Sequence, residues 1–186
     1  NDIPQTMVTF GTAGIKRNDP DYYAAYVMNQ ILGGDGNLNA RLATEIRGKR
    51  GLAYSVYSQL DPMTHSASWR GGFATRNAQV GTALDVLRST LKDFSANGPT
   101  DKELSDAKKY LTGSFVLSLD SNSAIASYLI SMQLFHLGRD YLNVRNKLIE
   151  SVSKDRVKAM AKKLTDPDKL LVVMVGKPDL TPATRK

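Results

Sequence analysis

The sequence predicts an α+β fold in which a largely antiparallel sheet packs on several helices. Three observations carry this expectation. Strand-like segments rich in β-branched and aromatic residues occur in the first half and again near the end, whereas the second half reads as mainly helical, with apolar positions over 80–94 repeating at three- and four-residue spacing. The 186 residues are 41% hydrophobic and 23% charged, close to an ordinary soluble domain, and a chain of this size buries roughly 70% of its unfolded surface. No low-complexity tract or internal repeat interrupts it, so a single domain over residues 1–177 is expected, followed by a polar tail, 178–186.

Residues 5–13 (QTMVTFGTA) read as the first strand, ending before the turn-prone Lys16, Arg17, Asn18 and Asp19. A helix follows, with Asp19 as N-cap, Pro20 in the first position and Tyr23, Val27 and Ile31 along one face, until Gly33 and Gly34 stop it. A shorter helix is expected over 38–47, then two strands over 52–60 and 68–75, antiparallel neighbours given the short link between them. Val80, Leu84, Leu87, Leu91 and Phe94 mark a long helix that ends at Asn97, Gly98 and Pro99. Thr100 with Glu103 is a capping box for the next helix, whose face is Leu104, Ala107 and Leu111. Helices over 123–137, 141–150 and 153–164 precede a turn at 165–168 and a last strand, 169–175. That strand is continuously apolar, so a central place in the sheet with both faces covered is expected, reached from the third strand by a long helical connection.

Several function classes are excluded by what the chain lacks. There is no cysteine, hence no disulfide, thiolate nucleophile or cysteine-bound zinc. The two histidines, His65 and His136, begin neither HExxH nor HxxEH, because the fourth residue beyond each is Trp69 and Asp140. Neither is assigned a metal. No G-x-S-x-G or P-loop is present, and Asn39 stands where a dinucleotide fingerprint needs its third glycine. The carboxylate pairs Asp19/Asp21 and Asp166/Asp168 sit at turns, where capping explains them. The net charge of +7 is spread along the chain without a basic block or an RNA-binding signature, so no nucleic acid is expected as a partner. Apolar runs such as 170–175 are far shorter than the ~20 residues that span a bilayer. No basic stretch leads into an apolar one at the start. The first residue is Asn1 rather than Met, which suggests a processed or excised chain and leaves bacterial periplasm and cytoplasm equally compatible.

Residues 32–58, LGGDGNLNARLATEIRGKRGLAYSVYS, form the most distinctive segment. With Asp19, Pro20, Asp21, Tyr22 and Tyr23 before it, Glu103, Leu104, Ala107, Lys108, Leu111 and Gly113 after it, and the closing run 172–176, it resembles the pitrilysin/insulinase family of zinc metallopeptidases. That family includes the mitochondrial processing peptidase and respiratory core proteins. The similarity is to the second, C-terminal homologous half, which lacks the zinc motif. It implies a processing-peptidase-like metallohydrolase half-domain that binds a peptide substrate beside a homologous domain or subunit carrying the zinc. The resemblance gives Arg47 and Tyr54 a role in catalysis, as hydrogen-bond donors to the carbonyl where negative charge develops. Read from the bare residues, Arg47 could equally be a helix-end cation and Tyr54 a strand residue with a satisfied hydroxyl. Gly33, Gly34 and Gly36 resemble in place the substrate-contacting glycine loop of the processing peptidase's non-catalytic subunit, though the loop is shorter; a helix C-cap with a tight turn is the alternative. A catalytically inactive assembly subunit of the same fold is the rival reading of the whole chain.

Overall fold

The computed structural model describes residues 4–34 and 36–180. Of the expected polar tail, 178–186, residues 181–186 therefore lie outside the described residues. The order of elements is β1 (Gln5–Ala13), α1 (Tyr22–Leu32), a π-helical turn (Ala43–Gly48), β2 (Val56–Pro62), β3 (Ala67–Arg76), α2 (Val80–Asn97), α3 (Asp101–Gly113), α4 (Asn122–Leu134), α5 (Tyr141–Glu150), α6 (Lys154–Leu164) and β4 (Leu171–Val175). The strands form one sheet in the order β2-β3-β1-β4, and every neighbouring pair is antiparallel. The expected α+β class is the observed one. Because β1 runs opposite to both of its neighbours, β3 and β4 are parallel to each other, and the five helices α2 to α6 make the connection between them.

Alternation along the strands decides which face is covered. Val8 and Phe10 of β1, Val56 of β2, and Trp69 and Phe73 of β3 point into the core and are almost fully buried, as period-two side-chain geometry requires. The Phe10 ring centroid lies 5.7 Å from that of Trp69 and 6.4 Å from that of Phe73. Gly71 makes room for this cluster, since a Cβ there would stand 2.4 Å from the Phe10 ring. Helices α1 and α2 supply the opposing layer through Ala24, Val27, Met28, Leu84, Leu87, Leu91 and Phe94. The other face of the sheet presents Met7, Tyr57, Leu171, Val173 and Val175, all exposed.

The starts of α1 and β2 and the place of β4 differ from the sequence expectation, and the short helix expected over 38–47 is a π-helical turn over Ala43–Gly48. Helix α1 begins at Tyr22, because Asp19 forms a turn of its own: its carboxylate accepts the Asp21 amide at 2.8 Å and its carbonyl accepts that of Tyr22 at 3.0 Å. Strand β2 begins at Val56 rather than residue 52. Leu52 is held away from the ladder, its amide donating to the Ile46 carbonyl at 2.9 Å and its carbonyl accepting the Thr75 hydroxyl at 2.5 Å. The largest correction concerns β4, which is an edge strand and not a central one. Its inner neighbour β1 is already bonded on the other side to β3, and only Val172 and Met174 turn toward the core, while Leu171, Val173 and Val175 face outward. The apolar run thus serves two surfaces, only one of which this chain covers.

One buried polar group ties the layers together. Asn29 in α1 accepts the Trp69 indole N–H of β3 at 3.0 Å and the Ser58 hydroxyl of β2 at 2.8 Å, and its own amide donates to the Ser58 carbonyl at 3.2 Å. Leaving a buried donor unpaired costs about 1–3 kcal/mol. Asn29→Leu, which keeps the number and branching of side-chain heavy atoms but orphans the Trp69 and Ser58 groups, is therefore expected to lower unfolding free energy by about 2–4 kcal/mol. Urea unfolding followed by the fluorescence of Trp69, the single tryptophan, measures this; a loss below about 1 kcal/mol would remove Asn29 from the role given to it here.

Candidate functional site

Arg47 and Tyr54 are brought together by the segment that joins α1 to β2. Arg47 lies in the last turn of the π-helical segment, where the Lys49 amide reaches back to Thr44 at 2.9 Å. Such i→i−5 turns are rare and recur at functional sites. The chain then reverses at Gly51, whose φ of 60° is the left-handed conformation that favours glycine, and whose amide donates to the Arg47 carbonyl at 2.9 Å. Leu52 and Ala53 plug into the core, and Tyr54 projects from the surface, 86% exposed. It sits two residues before β2 rather than at the head of that strand.

The Arg47 guanidinium carbon stands 5.4 Å from the centre of the Tyr54 ring, within cation–π range. Among the described residues, no hydrogen bond or ion pair occupies the Arg47 guanidinium or the Tyr54 hydroxyl. The neighbouring charges are committed instead. Glu45 accepts Lys49 Nζ at 2.6 Å and Arg50 Nη1 at 2.7 Å, and these bonds hold its carboxyl below the usual range despite partial burial. The pair therefore offers two donors side by side that are uncommitted among the described residues, while Glu45, two positions before Arg47, is neutralised by other cations. The resemblance pointed to both residues, and the structure places them next to each other.

Gly33, Gly34 and Gly36 are placed differently from one another. Gly33 ends α1 by donating its amide to the Asn29 carbonyl at 3.0 Å, and its carbonyl accepts the Ser58 amide at 2.8 Å. A Cβ on Gly33 would meet the Ser58 hydroxyl oxygen at 2.8 Å, and one on Gly34 would meet Gln30 Cα at 2.8 Å. Both are buried, holding the end of α1 against β2. Gly36 differs: at φ 66° it faces open space and is exposed.

Arg41, one of the landmarks of the resemblance but given no role from the sequence, fixes the start of this segment. Arg41 extends Nε to Glu103 Oε1 at 2.5 Å and Nη2 to Glu103 Oε2 at 2.8 Å, reaches Asp93 at 3.0 Å and the Gly98 carbonyl at 3.0 Å, and covers the Phe94 ring at 4.7 Å. One guanidinium thus joins the π-helical segment to α2 and α3. Glu103 also completes the capping box expected with Thr100, so a single carboxylate both caps α3 and holds Arg41. The capping box was legible locally; the Arg41 contact, 62 residues away, carries no local signal.

His65 lies in the β2–β3 connection and His136 just beyond α4. Among the described residues, no three His, Cys, Asp or Glu side chains gather in a way that could hold a metal ion. No helix among the described residues is long and apolar enough to cross a membrane.

The described residues thus form a one-sided α+β sheet with an arginine–tyrosine pair at its margin and no cluster of three metal donors. Residues 1–111 match the family described as the peptidase M16 inactive domain, and the chain belongs to that family. It is 34% identical over 160 residues to an uncharacterized zinc protease of Streptomyces coelicolor, covering 85% of this chain and 34% of that one. It is 35% identical over 161 residues to a non-peptidase homolog of Helicobacter pylori, covering 84% of this chain and 35% of that one. The crystal structure of a peptidase M16 inactive domain from Pseudomonas fluorescens superposes with a TM-score of 0.84 at 36% identity, over 96% of this chain and 42% of the other. The chain thus spans about a third of the length of these curated relatives.

Burial by itself raises the Glu103 carboxyl, but hydrogen bonds from Arg41 and Thr100 hold it below the usual range. A carboxyl lowered on folding contributes stability that is present above the unfolded value of about 4.3 and is lost as pH falls through the lower folded value. Glu103→Gln is accordingly expected to cost about 1–3 kcal/mol at neutral pH, with variant and wild type converging as pH falls through the lowered folded value of Glu103. Urea titrations across this range check it; a cost independent of pH would mean that the charge on Glu103 contributes nothing.

Proposed function

We propose that this domain is the zinc-free, substrate-binding half of a metalloendopeptidase, completing a peptide-cleavage site whose zinc is carried by a homologous domain or subunit. The observation that carries this reading is the Arg47–Tyr54 pair, held 5.4 Å apart with both polar ends uncommitted among the described residues. Peptide hydrolysis builds negative charge on the scissile carbonyl oxygen, and a guanidinium and a phenol beside it donate hydrogen bonds that strengthen as the charge grows. Tyr54 is exposed and Arg47 half-buried, as donors directed at a ligand outside the domain would be. Gly33 and Gly34 position β2 in this reading, and Gly36 is the loop residue open to a peptide chain.

The outward face of the sheet supports the two-part arrangement. Leu171, Val173 and Val175 are 71%, 52% and 67% exposed on a strand whose outer edge pairs with no other strand among the described residues. Exposed apolar strands with open edges invite association, and the match to the Streptomyces coelicolor relative leaves about two thirds of that relative's own length outside it. A second reading, an assembly domain without catalysis, draws on the same apolar face and on the Helicobacter pylori relative named a non-peptidase homolog.

Reconstitution with a homologous half bearing HxxEH distinguishes the two. Arg47→Ala and Tyr54→Phe are each expected to lower peptide turnover by about 10²-fold, the typical effect of removing one transition-state donor, without altering assembly measured by size-exclusion chromatography. Turnover within about twofold of wild type in both variants would overturn the roles of the pair, and an assembled but inactive wild-type complex would favour the assembly reading.

A further inference from the structure

A second group of cations lies apart from the Arg47–Tyr54 pair. A pocket of about 270 Å³ opens between the start of α1, the short helix Phe115–Leu119, α4 and α5. Arg17 and Arg145 both line it, and no Asp, Glu or Lys does. Their setting differs from that of the other arginines in ion pairs, since Arg41, Arg50, Arg70 and Arg156 each meet a carboxylate. Neither Arg17 nor Arg145 forms an ion pair among the described residues. Arg145 is only 6% exposed.

The groups around these cations are neutral. Arg17 donates Nη2 to the Tyr141 hydroxyl at 2.8 Å and lies 4.0 Å over the Tyr22 ring. The Tyr23 hydroxyl donates to that of Tyr141 at 2.9 Å. Burial pushes the Tyr22 and Tyr23 phenols up to about 12, so neither supplies a counter-charge near neutral pH. Arg145 directs Nη1 to the Leu111 carbonyl at 3.0 Å and to the Asn146 side chain at 3.0 Å, and stacks 4.1 Å over Phe115. The Leu111 bond, in the last turn of α3, is a capping role that occupies one nitrogen. The Nε and Nη2 of Arg145, and the Nε and Nη1 of Arg17, bond to no described residue. Stacking on aromatic faces recovers only part of what a buried guanidinium loses in leaving water. An anion bound between the two would supply the rest.

We infer that this pocket binds a small organic carboxylate with an apolar, flat body, its carboxylate set against Arg17 and Arg145 and its body against the tyrosine and phenylalanine rings. A guanidinium presents parallel N–H donors that match a carboxylate in its plane, and walls of Tyr22, Phe115 and Tyr128 favour an aromatic or aliphatic remainder. The volume admits a ligand about the size of one amino-acid residue. Two sources share this chemistry: a free acid, and the carboxyl-terminal residue of a peptide.

The probe is 3-phenylpropionate, titrated into the purified protein by calorimetry beside its neutral amide, 3-phenylpropanamide. The acid is expected to bind at least about tenfold more tightly than the amide, and Arg17→Gln to remove about tenfold or more of the acid's affinity while leaving that of the amide unchanged. Far-UV circular dichroism confirms folding of the variant, and Arg17 is chosen because Arg145 also caps α3. A short peptide ending in phenylalanine, with a free or an amidated terminus, separates the sources. Preference for its free carboxylate assigns a chain end, and binding of the small acid alone assigns a free metabolite. Equal binding of acid and amide, unchanged affinity in Arg17→Gln, or no saturable binding of acid or peptide would overturn the inference.

Discussion

The side chain of Asn29 is the constraint on which the arrangement of this domain turns. An amide buried in an apolar core must find partners for its oxygen and nitrogen together, and Asn29 finds them on two strands at once, at Trp69 and Ser58. Helix α1 is thereby fixed in rotation and height over β2 and β3. The consequences run along the chain from there. With Ser58 fixed, Gly33 closes against it, the ladder of β2 begins at Val56, and Leu52 is left to bond Ile46 and Thr75. Tyr54 is set outward by that sequence of commitments. Its approach to Arg47 therefore rests on a buried hydrogen-bond network in a different layer of the fold.

Charge is distributed with a matching economy. Arg41 is satisfied by two carboxylates, a carbonyl and an aromatic face, and binds three elements into one body. Glu45 takes up Lys49 and Arg50. Elsewhere guanidinium groups meet aromatic rings instead of carboxylates: Arg47 beside Tyr54, and Arg17 and Arg145 in the pocket of tyrosine and phenylalanine rings. A cation left without a counter-ion next to accessible space is prepared for a partner that the chain does not supply itself. The exposed outer row of β4 makes the apolar counterpart of the same point, and a place within longer relatives of the M16 family gives it a physical context.

Much of the fold was legible because its signals are local. The capping box at Thr100 and Glu103, the glycine end of α1 and the periodicity of α2 each depend on residues within a few positions of one another. The expectation for β4 failed for the opposite reason. A continuous apolar run records how much surface avoids water, not whose surface covers it, and here one row faces the core while the other faces outward. The start of β2 was misplaced because the Thr75 hydroxyl, 23 residues away, diverts the Leu52 carbonyl from the ladder. The Arg17–Arg145 pocket was invisible in sequence, its two arginines being separated by most of the chain.

By itself, then, the sequence determined the α+β class, the order and type of nearly every element, the lack of an HExxH or HxxEH motif and, through its ordered landmarks, the family, while the resemblance pointed to Arg47 and Tyr54 as candidates. Tertiary structure alone decided that β4 stands at an edge, that Arg47 and Tyr54 meet, and that Gly33 and Gly34 are spent on packing while Gly36 is open. The division has a physical cause. Helical and strand periods, caps and turns are set by neighbours in the chain, whereas strand order, buried polar networks and the pairing of charges depend on groups brought together only when distant segments lose their water.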